Sequence, residues 1–312
     1  SSGYVKLMAI ARDVLPPEST FDLATLNFTL LKEGGEKTLH FSEDARQESM
    51  VYAGGQFVEN LEEVVSLRVN TSISTASCQL YAVNDKGLNN SQFFTVSLDD
   101  LTVSVLGPMY EGHDIEALAI HPNTNMIYAA SGDDVTNGKQ GHFYLVDGET
   151  GELFPVGSTG FNEIEDLAFS PDGTLYAWAK GDGLITIDDL ATGESTLVLP
   201  YDNPLIEGLT LKKDDGNIFF GAVGTDLWQY DMVANTLEVI CPNQLLGETE
   251  ALEIMPEGLL KPDGLLLIGT HNVPFGLHAF DAQTCEIIEA DETLSNRFDD
   301  VEGIAVPVAA CK

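Results

Sequence analysis

Basic residues are what this chain most lacks. Only 14 Lys and Arg stand against 50 Asp and Glu, giving a net charge of −36 over 312 residues. Nucleic acids and anionic membrane surfaces are gripped by Lys and Arg that neutralise phosphate, so a surface this acidic repels both. No nucleic-acid partner is expected. Long apolar runs are missing too: none approaches the ~18–20 residues that a spanning helix needs, so no membrane span is expected. The four cysteines, Cys78, Cys241, Cys285 and Cys311, form no CxxC spacing, which argues against a zinc ribbon or a thioredoxin-type motif. HxxxH, HExxH, GxSxG, a P-loop and a GxGxxG after a strand are all absent, which removes the common signatures of zinc hydrolases, serine hydrolases and nucleotide binders.

What remains is ample for a folded core, since 44% of the residues are hydrophobic. An even number of cysteines without metal spacing fits two disulfides and an oxidising compartment. The chain is therefore expected to be secreted, periplasmic or at the cell surface. Its excess of carboxylate suits a medium rich in salt or divalent ions, where cations screen self-repulsion.

The chain also repeats. Five segments are nearly alike: Asp114-Ile-Glu-Ala-Leu-Ala-Ile120, Glu163-Ile-Glu-Asp-Leu-Ala-Phe169, Leu205-Ile-Glu-Gly-Leu-Thr-Leu211, Glu248-Thr-Glu-Ala-Leu-Glu-Ile254 and Asp300-Val-Glu-Gly-Ile-Ala-Val306. Their central glutamates, Glu116, Glu165, Glu207, Glu250 and Glu302, are 49, 42, 43 and 52 residues apart. A period of ~40–50 residues built from short β-type runs marks the four-stranded blades of a propeller. Each of the first four motifs leads into a turn rich in Pro, Asp, Asn or Gly, such as Ser170-Pro-Asp-Gly, and then a second apolar strand. A third strand follows, ending at Asp147, Asp188, Asp231 or Asp281, and a more polar fourth strand completes the unit.

The count closes on itself. Residues 78–106 carry only the last three strands of a blade, and the segment at 301–306 is a first strand with nothing after it. Pairing the two completes a fifth blade and removes the exposed edges of an open array. The expected fold is an all-β, five-bladed β-propeller of four-stranded blades over 76–312, closed by the C-terminal strand. Residues 1–75 lack the motif and read as a small N-terminal β region, a cap or sandwich, with strands near 4–10, 21–31, 37–41 and 64–69. Closure also brings Cys78, at the start of the second strand, beside Cys311, just past the end of the first. Cys241 ends one fourth strand and Cys285 starts the next, so Cys241–Cys285 is the second expected bridge.

First strands line a propeller's channel, so the five glutamates should face one another. An acid lies two positions earlier in four of them (Asp114, Glu163, Glu248, Asp300), and residues i and i+2 share a strand face, which predicts a second acidic tier. Two unit charges ~5 Å apart repel by about 3 kcal/mol at an effective dielectric near 20. Either several carboxyls are protonated or a cation sits among them, and no Lys or Arg lies in or beside the motifs to serve. A hard ion with 6–8 oxygen ligands fits, which favours Ca²⁺ over Mg²⁺, other divalent metals remaining open. Alternatively each glutamate accepts backbone N–H bonds from a neighbouring blade and serves register alone, or the acids form an active site without metal. His113 and His271 are lesser candidates for the same channel mouth. Trp178 and Trp228 sit in apolar strands and read as core.

The repeated [Ile/Val]-Glu-Gly-[Leu/Ile] at 206–209 and 301–304, with Pro-Asp-Gly or Asp-Asp-Gly turns, resembles the SdiA-regulated and phytase-like propeller families. The resemblance covers about residues 78–306 and implies a propeller holding Ca²⁺ in its channel near such glutamates. Positions 117, 166 and 251 depart from it, with Ala or Asp where Gly is usual. Two functions are compatible with this reading. One is a secreted, non-catalytic metal-binding module for a protein, glycan or surface ligand. The other is a metal-dependent esterase or phosphoesterase with its site at the channel mouth. Near-identical carboxylates look closed and symmetric, as structural metal sites do, so the binding module is favoured and no catalytic residue is assigned.

Overall fold

Alternation of apolar and polar residues in runs of five to eight, punctuated by Asp, Asn and Gly, gives strands throughout. The computed structural model describes residues 51–53, 56–58 and 74–311, the latter apart from 88, 101, 202–204, 213–215, 256–264, 272–277, 291–298 and 308–309. The chain divides into two units, Ser1–Ser72 and Ile73–Lys312. Within the first, β1 (Val51–Ala53) pairs antiparallel with β2 (Gln56–Val58), Ala53 facing Gln56. The four strands expected in the N-terminal region lie outside the described residues.

The second unit is five four-stranded antiparallel sheets. The first to begin in sequence holds β3 (Leu80–Lys86), β4 (Asn90–Val96) and β5 (Val103–Tyr110). The next is β6 (Ile115–Ile120), β7 (Ile127–Ser131), β8 (His142–Val146) and β9 (Leu153–Ser158). Then come β10 (Ile164–Phe169), β11 (Leu175–Ala179), β12 (Gly183–Ile187) and β13 (Ser195–Pro200). The fourth sheet is β14 (Leu209–Leu211), β15 (Ile218–Val223), β16 (Asp226–Asp231) and β17 (Thr236–Cys241). The fifth is β18 (Glu248–Ile254), β19 (Leu266–His271), β20 (His278–Asp281) and β21 (Glu286–Ala290). Last, β22 (Val301–Ala305) returns to pair with β3, giving the order β22-β3-β4-β5. Ile304 faces Ala82 in that pairing, and Asp85 N–H donates to Asp300 O at 2.9 Å. The ring is closed by the C-terminal strand.

Packing confirms a ring of five blades. Five clusters of buried side chains fill the five interfaces between neighbouring blades. Tyr81 and Phe93 of the closing blade meet Ile115 and Leu118 of the next. On its other side Leu80 and Phe94 meet Ala251 and Leu267. Each fully buried Leu or Phe contributes roughly 1.5–3 kcal/mol, so the faces between blades carry the stability. Trp178 is buried between the third and fourth blades, with Trp228 partly buried against the same cluster, as core residues. The innermost strands touch in the order β22, β6, β10, β14, β18 and back to β22.

Three of the aspartates at the ends of third strands, Asp147, Asp231 and Asp281, are turn residues, whereas Asp188 accepts the hydroxyls of Thr186 and Thr196. Asp231 Oδ1 accepts the N–H groups of Val233 and Ala234, both at 2.8 Å, and Asp147 and Asp281 do the same two and three residues on. These side chains imitate a backbone turn. Both expected disulfides are formed: Cys78–Cys311, with Cα atoms 4.6 Å apart across 233 residues, and Cys241–Cys285, at 5.5 Å across 44. Among the described residues, no helix is long and apolar enough to cross a membrane.

Candidate metal centre in the inner ring

Every motif glutamate sits on a β-bulge. The register between first and second strand shifts between Ile115 and Ala117, Ile164 and Asp166, Thr249 and Ala251, and Val301 and Gly303. The residues skipped are Glu116, Glu165, Glu250 and Glu302. In the fourth blade the backbone does the same just before β14. Glu207 N–H donates to Ala222 O at 2.9 Å, while Ala222 N–H donates to Gly208 O at 2.8 Å. A bulge leaves one residue outside the ladder and re-aims its side chain.

The glycine that follows two of the glutamates, Gly303 and Gly208, has a steric reason. A Cβ on Gly303 would sit 2.9 Å from Leu118 N and 3.1 Å from Glu116 O, and one on Gly208 would sit 3.0 Å from Leu252 N. Inner strands of adjacent blades are that close. Asp166 occupies the same position in the third blade, and its carboxylate accepts Leu167 N–H at 2.8 Å and, across the blade boundary, Leu209 N–H at 2.7 Å. Burial nevertheless holds its pKa well above the usual carboxylate range.

The carboxylates gather in two groups. Glu116, Glu163 and Glu165 offer ligand atoms within 4.8 Å of one another, and so do Glu250, Asp300 and Glu302. Burial pushes Glu116 well above its usual range, and the charges of Glu165, Asp114, Glu302 and Glu163 push further the same way. Glu302 is raised likewise, by burial and then by Glu250, Asp300, Asp85 and Glu165. Oε2 of Glu116 is buried and accepts no hydrogen bond. Gly132 leaves room for that carboxylate, which a Cβ at position 132 would overlap.

Two expectations need correction. The ring does contain a basic residue: Lys180 Nζ lies 2.6 Å from Glu163 Oε1 and 2.7 Å from Glu165 Oε1. Burial works against its charge, but the two carboxylates outweigh it and raise its pKa. Glu165 is raised to about 7 by burial, with Lys180 pulling down and Glu163 and Glu207 pushing up. Nor do the acids two positions earlier form one outer tier, because the bulge breaks the strand alternation on which that expectation rested. Glu163 and Asp300 join the inner carboxylates. Asp114 adopts a left-handed φ of 52°, and its Oδ2 accepts Asp134 N–H at 2.7 Å.

The remaining candidates are placed as follows. Glu248 and His271 face each other in the β18–β19 ladder. His113 packs edge-on against Tyr110, ring centroids 5.3 Å apart, with Nδ1 3.1 Å from Glu111 O, and is not drawn into either carboxylate group. One acid was missed. Asp85 is raised to about 7 by burial and by Asp114, with Asp300 and Asp134 adding to it, although Ser91 Oγ donates to it at 3.2 Å. It lies three residues beyond Ala82, the partner of Ile304. The same step in the other blades reaches Gly132, Lys180, Gly224 and His271. Aligning second strands at that position was the signal that would have exposed both Asp85 and Lys180.

Chemically this is a buried, oxygen-rich, anionic cluster. Carboxylates here must take up protons, pair with Lys180, or coordinate a cation.

No family model matches the chain. One curated relative, the meiotic recombination protein rec14 of Schizosaccharomyces pombe, is 38% identical over 68 residues, which cover 22% of each chain. Among solved structures, a nidogen/laminin complex superposes with a TM-score of 0.52 at 11% identity, covering 75% of this chain and 100% of that one. A protein of unknown function from Bacteroides thetaiotaomicron gives a TM-score of 0.46 at 15% identity, covering 69% of this chain and 58% of that one. The likeness to the nidogen/laminin structure supports the β-propeller fold.

Proposed function

We propose that this chain is a secreted, non-catalytic binding module whose propeller is held by one divalent cation, Ca²⁺ by preference, among Glu116, Glu165, Glu207, Glu250 and Glu302. The observation that carries the reading is the bulge repeated at all five glutamates. Register alone does not call for five re-aimed carboxylates, and buried like charges are costly without a counter-ion. Hard oxygen donors in this number suit Ca²⁺. The resemblance to calcium-centred SdiA-regulated and phytase-like propellers favours the same ion. Two disulfides favour an oxidising, extracytoplasmic setting. A protein, glycan or surface ligand on the loops is the partner class, and the nidogen/laminin likeness leans toward a protein.

The test is elemental analysis of the purified protein together with thermal melts in EDTA and in Ca²⁺. A ligand at 100 times its Kd stabilises the folded state by about 2.7 kcal/mol, so Ca²⁺ should raise the melting temperature and EDTA lower it. Equal melts and no bound ion would sink the proposal. A hydrolase is the second reading, favoured by one observation: Lys180 makes the site asymmetric, as catalysis requires. Chelator-sensitive turnover of generic ester or phosphate substrates would select it.

A further inference from the structure

Each blade ends in an outer strand with one uncovered edge, since β5, β9, β13, β17 and β21 stand last in their sheets. Such edges invite a foreign strand, and proteins blunt them with charge, proline or bulges. A bulge is present in all five outer pairs. Four of the strands add a second device: Pro108 in β5, Pro155 in β9, Glu238 in β17, and Glu286 with Glu289 in β21. β13, Ser-Thr-Leu-Val-Leu-Pro, carries no charge and no proline before its last residue. Leu197 and Val198, in its middle, are 40 and 45% exposed.

The surface beside this edge is anionic. Between Lys180 and Lys212 the sequence has six acids and no Lys, Arg or His. Asp188 is tied to β13 itself: its carboxylate accepts Thr196 Oγ1 at 2.5 Å and, from the facing strand, Thr186 Oγ1 at 2.8 Å. Asp147 and Asp231 spend their carboxylates on their own turns. In this blade Asp189 has taken over that task, accepting Ala191 N–H at 2.8 Å, and Asp188 stays exposed. With Asp172, Thr174, Thr186 and Leu190 it lines an open groove of about 400 Å³.

We infer that β13 is a docking edge for an extended segment of a partner protein that carries a basic residue next to an apolar one. The segment adds to the sheet through main-chain hydrogen bonds. Opposed residues of paired strands share a face, and successive residues alternate. The partner residue opposite Leu197 therefore covers that exposed side chain. The one opposite Thr196 lies on the face of Asp188, where the groove admits a Lys or Arg. Charge decides against a second copy of this chain, which at −36 repels itself and whose β13 brings no base to Asp188. The surface takes its protein partner from the binding-module reading above and is independent of the metal.

The test is fluorescence anisotropy on the full chain with three labelled ten-residue peptides: alternating Lys and Val, alternating Glu and Val, and the Lys/Val sequence with a central proline. Wild type should bind the first saturably below about 1 mM and reject the other two, one by charge and one by the lost main-chain donor. L197K should weaken binding about 10-fold or more. D188N should weaken it about 3- to 5-fold, as for an exposed ion pair. V239K, which adds the same charge at an exposed position on β17, should leave it unchanged. If L197K does not fold, T196K, at another exposed position of β13, carries the same expectation. No saturable binding of the Lys/Val peptide overturns the inference, and so does binding that V239K weakens as much as L197K. Wild type that dimerises on gel filtration while L197K stays monomeric assigns the edge to a second copy and overturns it too. Peptide binding that persists in EDTA upholds the edge whatever becomes of the ion; Ca²⁺ binding without peptide binding removes the edge and leaves the metal reading standing.

Discussion

Replacing Glu165 by Gln should flatten the pH dependence of stability of the metal-free protein. Glu165 is buried, and its pKa rises from an ordinary 4.5 to about 7 in the folded chain. A carboxyl whose folded pKa is raised contributes stability that is full below its unfolded pKa and lost as pH climbs through the folded value. Here the window runs from about pH 4.5 to 7. At ~1.36 kcal/mol per pH unit, the loss across it is about 3 kcal/mol from this one group. His121 and His142 pull the other way, because burial lowers their pKa values, so wild type alone gives a blend. Wild type and E165Q share those histidines, and the difference between the two curves reports Glu165 together with its push on Glu116 and Glu302. Urea unfolding in EDTA, at half-unit steps from pH 4.5 to 8, supplies both curves. Wild type should lose about 3 kcal/mol more than E165Q between the ends of the window. Adding Ca²⁺ should restore wild type at pH 7.5 and do little at pH 4.5, where protons already occupy the carboxyls. Parallel curves for the two proteins would refute the claim that buried, mutually repelling carboxylates line the ring.

Three other outcomes are expected. Deleting residues 300–312 removes β22 and leaves β3 and the inner edges beside it unpaired, so the product should aggregate on gel filtration; a monomer with an unchanged melt would contradict ring closure. In the chain-entropy model, C78S/C311S should cost about 5 kcal/mol and C241S/C285S about 4, since the loops they close span 233 and 44 residues; denaturant titration of the oxidised proteins tests the ranking, and a larger loss for the shorter loop would contradict it. G132A drives a methyl into the Glu116 carboxylate and should weaken Ca²⁺ binding about 10-fold or more with a smaller change in secondary structure by circular dichroism, whereas G138A, at a position with open space around it, should leave binding unchanged.

Sequence alone settled what repetition can settle. A motif recurring every 42–52 residues, four times followed by a turn and three more strands, admits few folds besides a propeller. The missing first strand at one end and the surplus one at the other dictated how the ring closes. Both disulfides followed from that closure, because antiparallel pairing brings strand ends together whatever their separation in sequence. The five glutamates stood out for the same reason: one residue type held at one place in each repeat.

Only the tertiary structure decided how those glutamates differ. Alternation along a strand predicts that residues i and i+2 share a face, but the bulge at each glutamate breaks that rule, turning Asp114 toward Asp134 while Glu163 joins the inner group. A bulge is a property of two strands in register, and it leaves no mark on the single strand that carries it. Lys180 and Asp85 were hidden for a related reason. Asp85 lies on a second strand and Lys180 just past the end of one, apart in sequence from the glutamates they influence, and the sheet register alone brings them to the ring. Charge summed along the chain gives −36; where the Lys180 ammonium stands among the inner carboxylates depends on which residues the blades bring face to face.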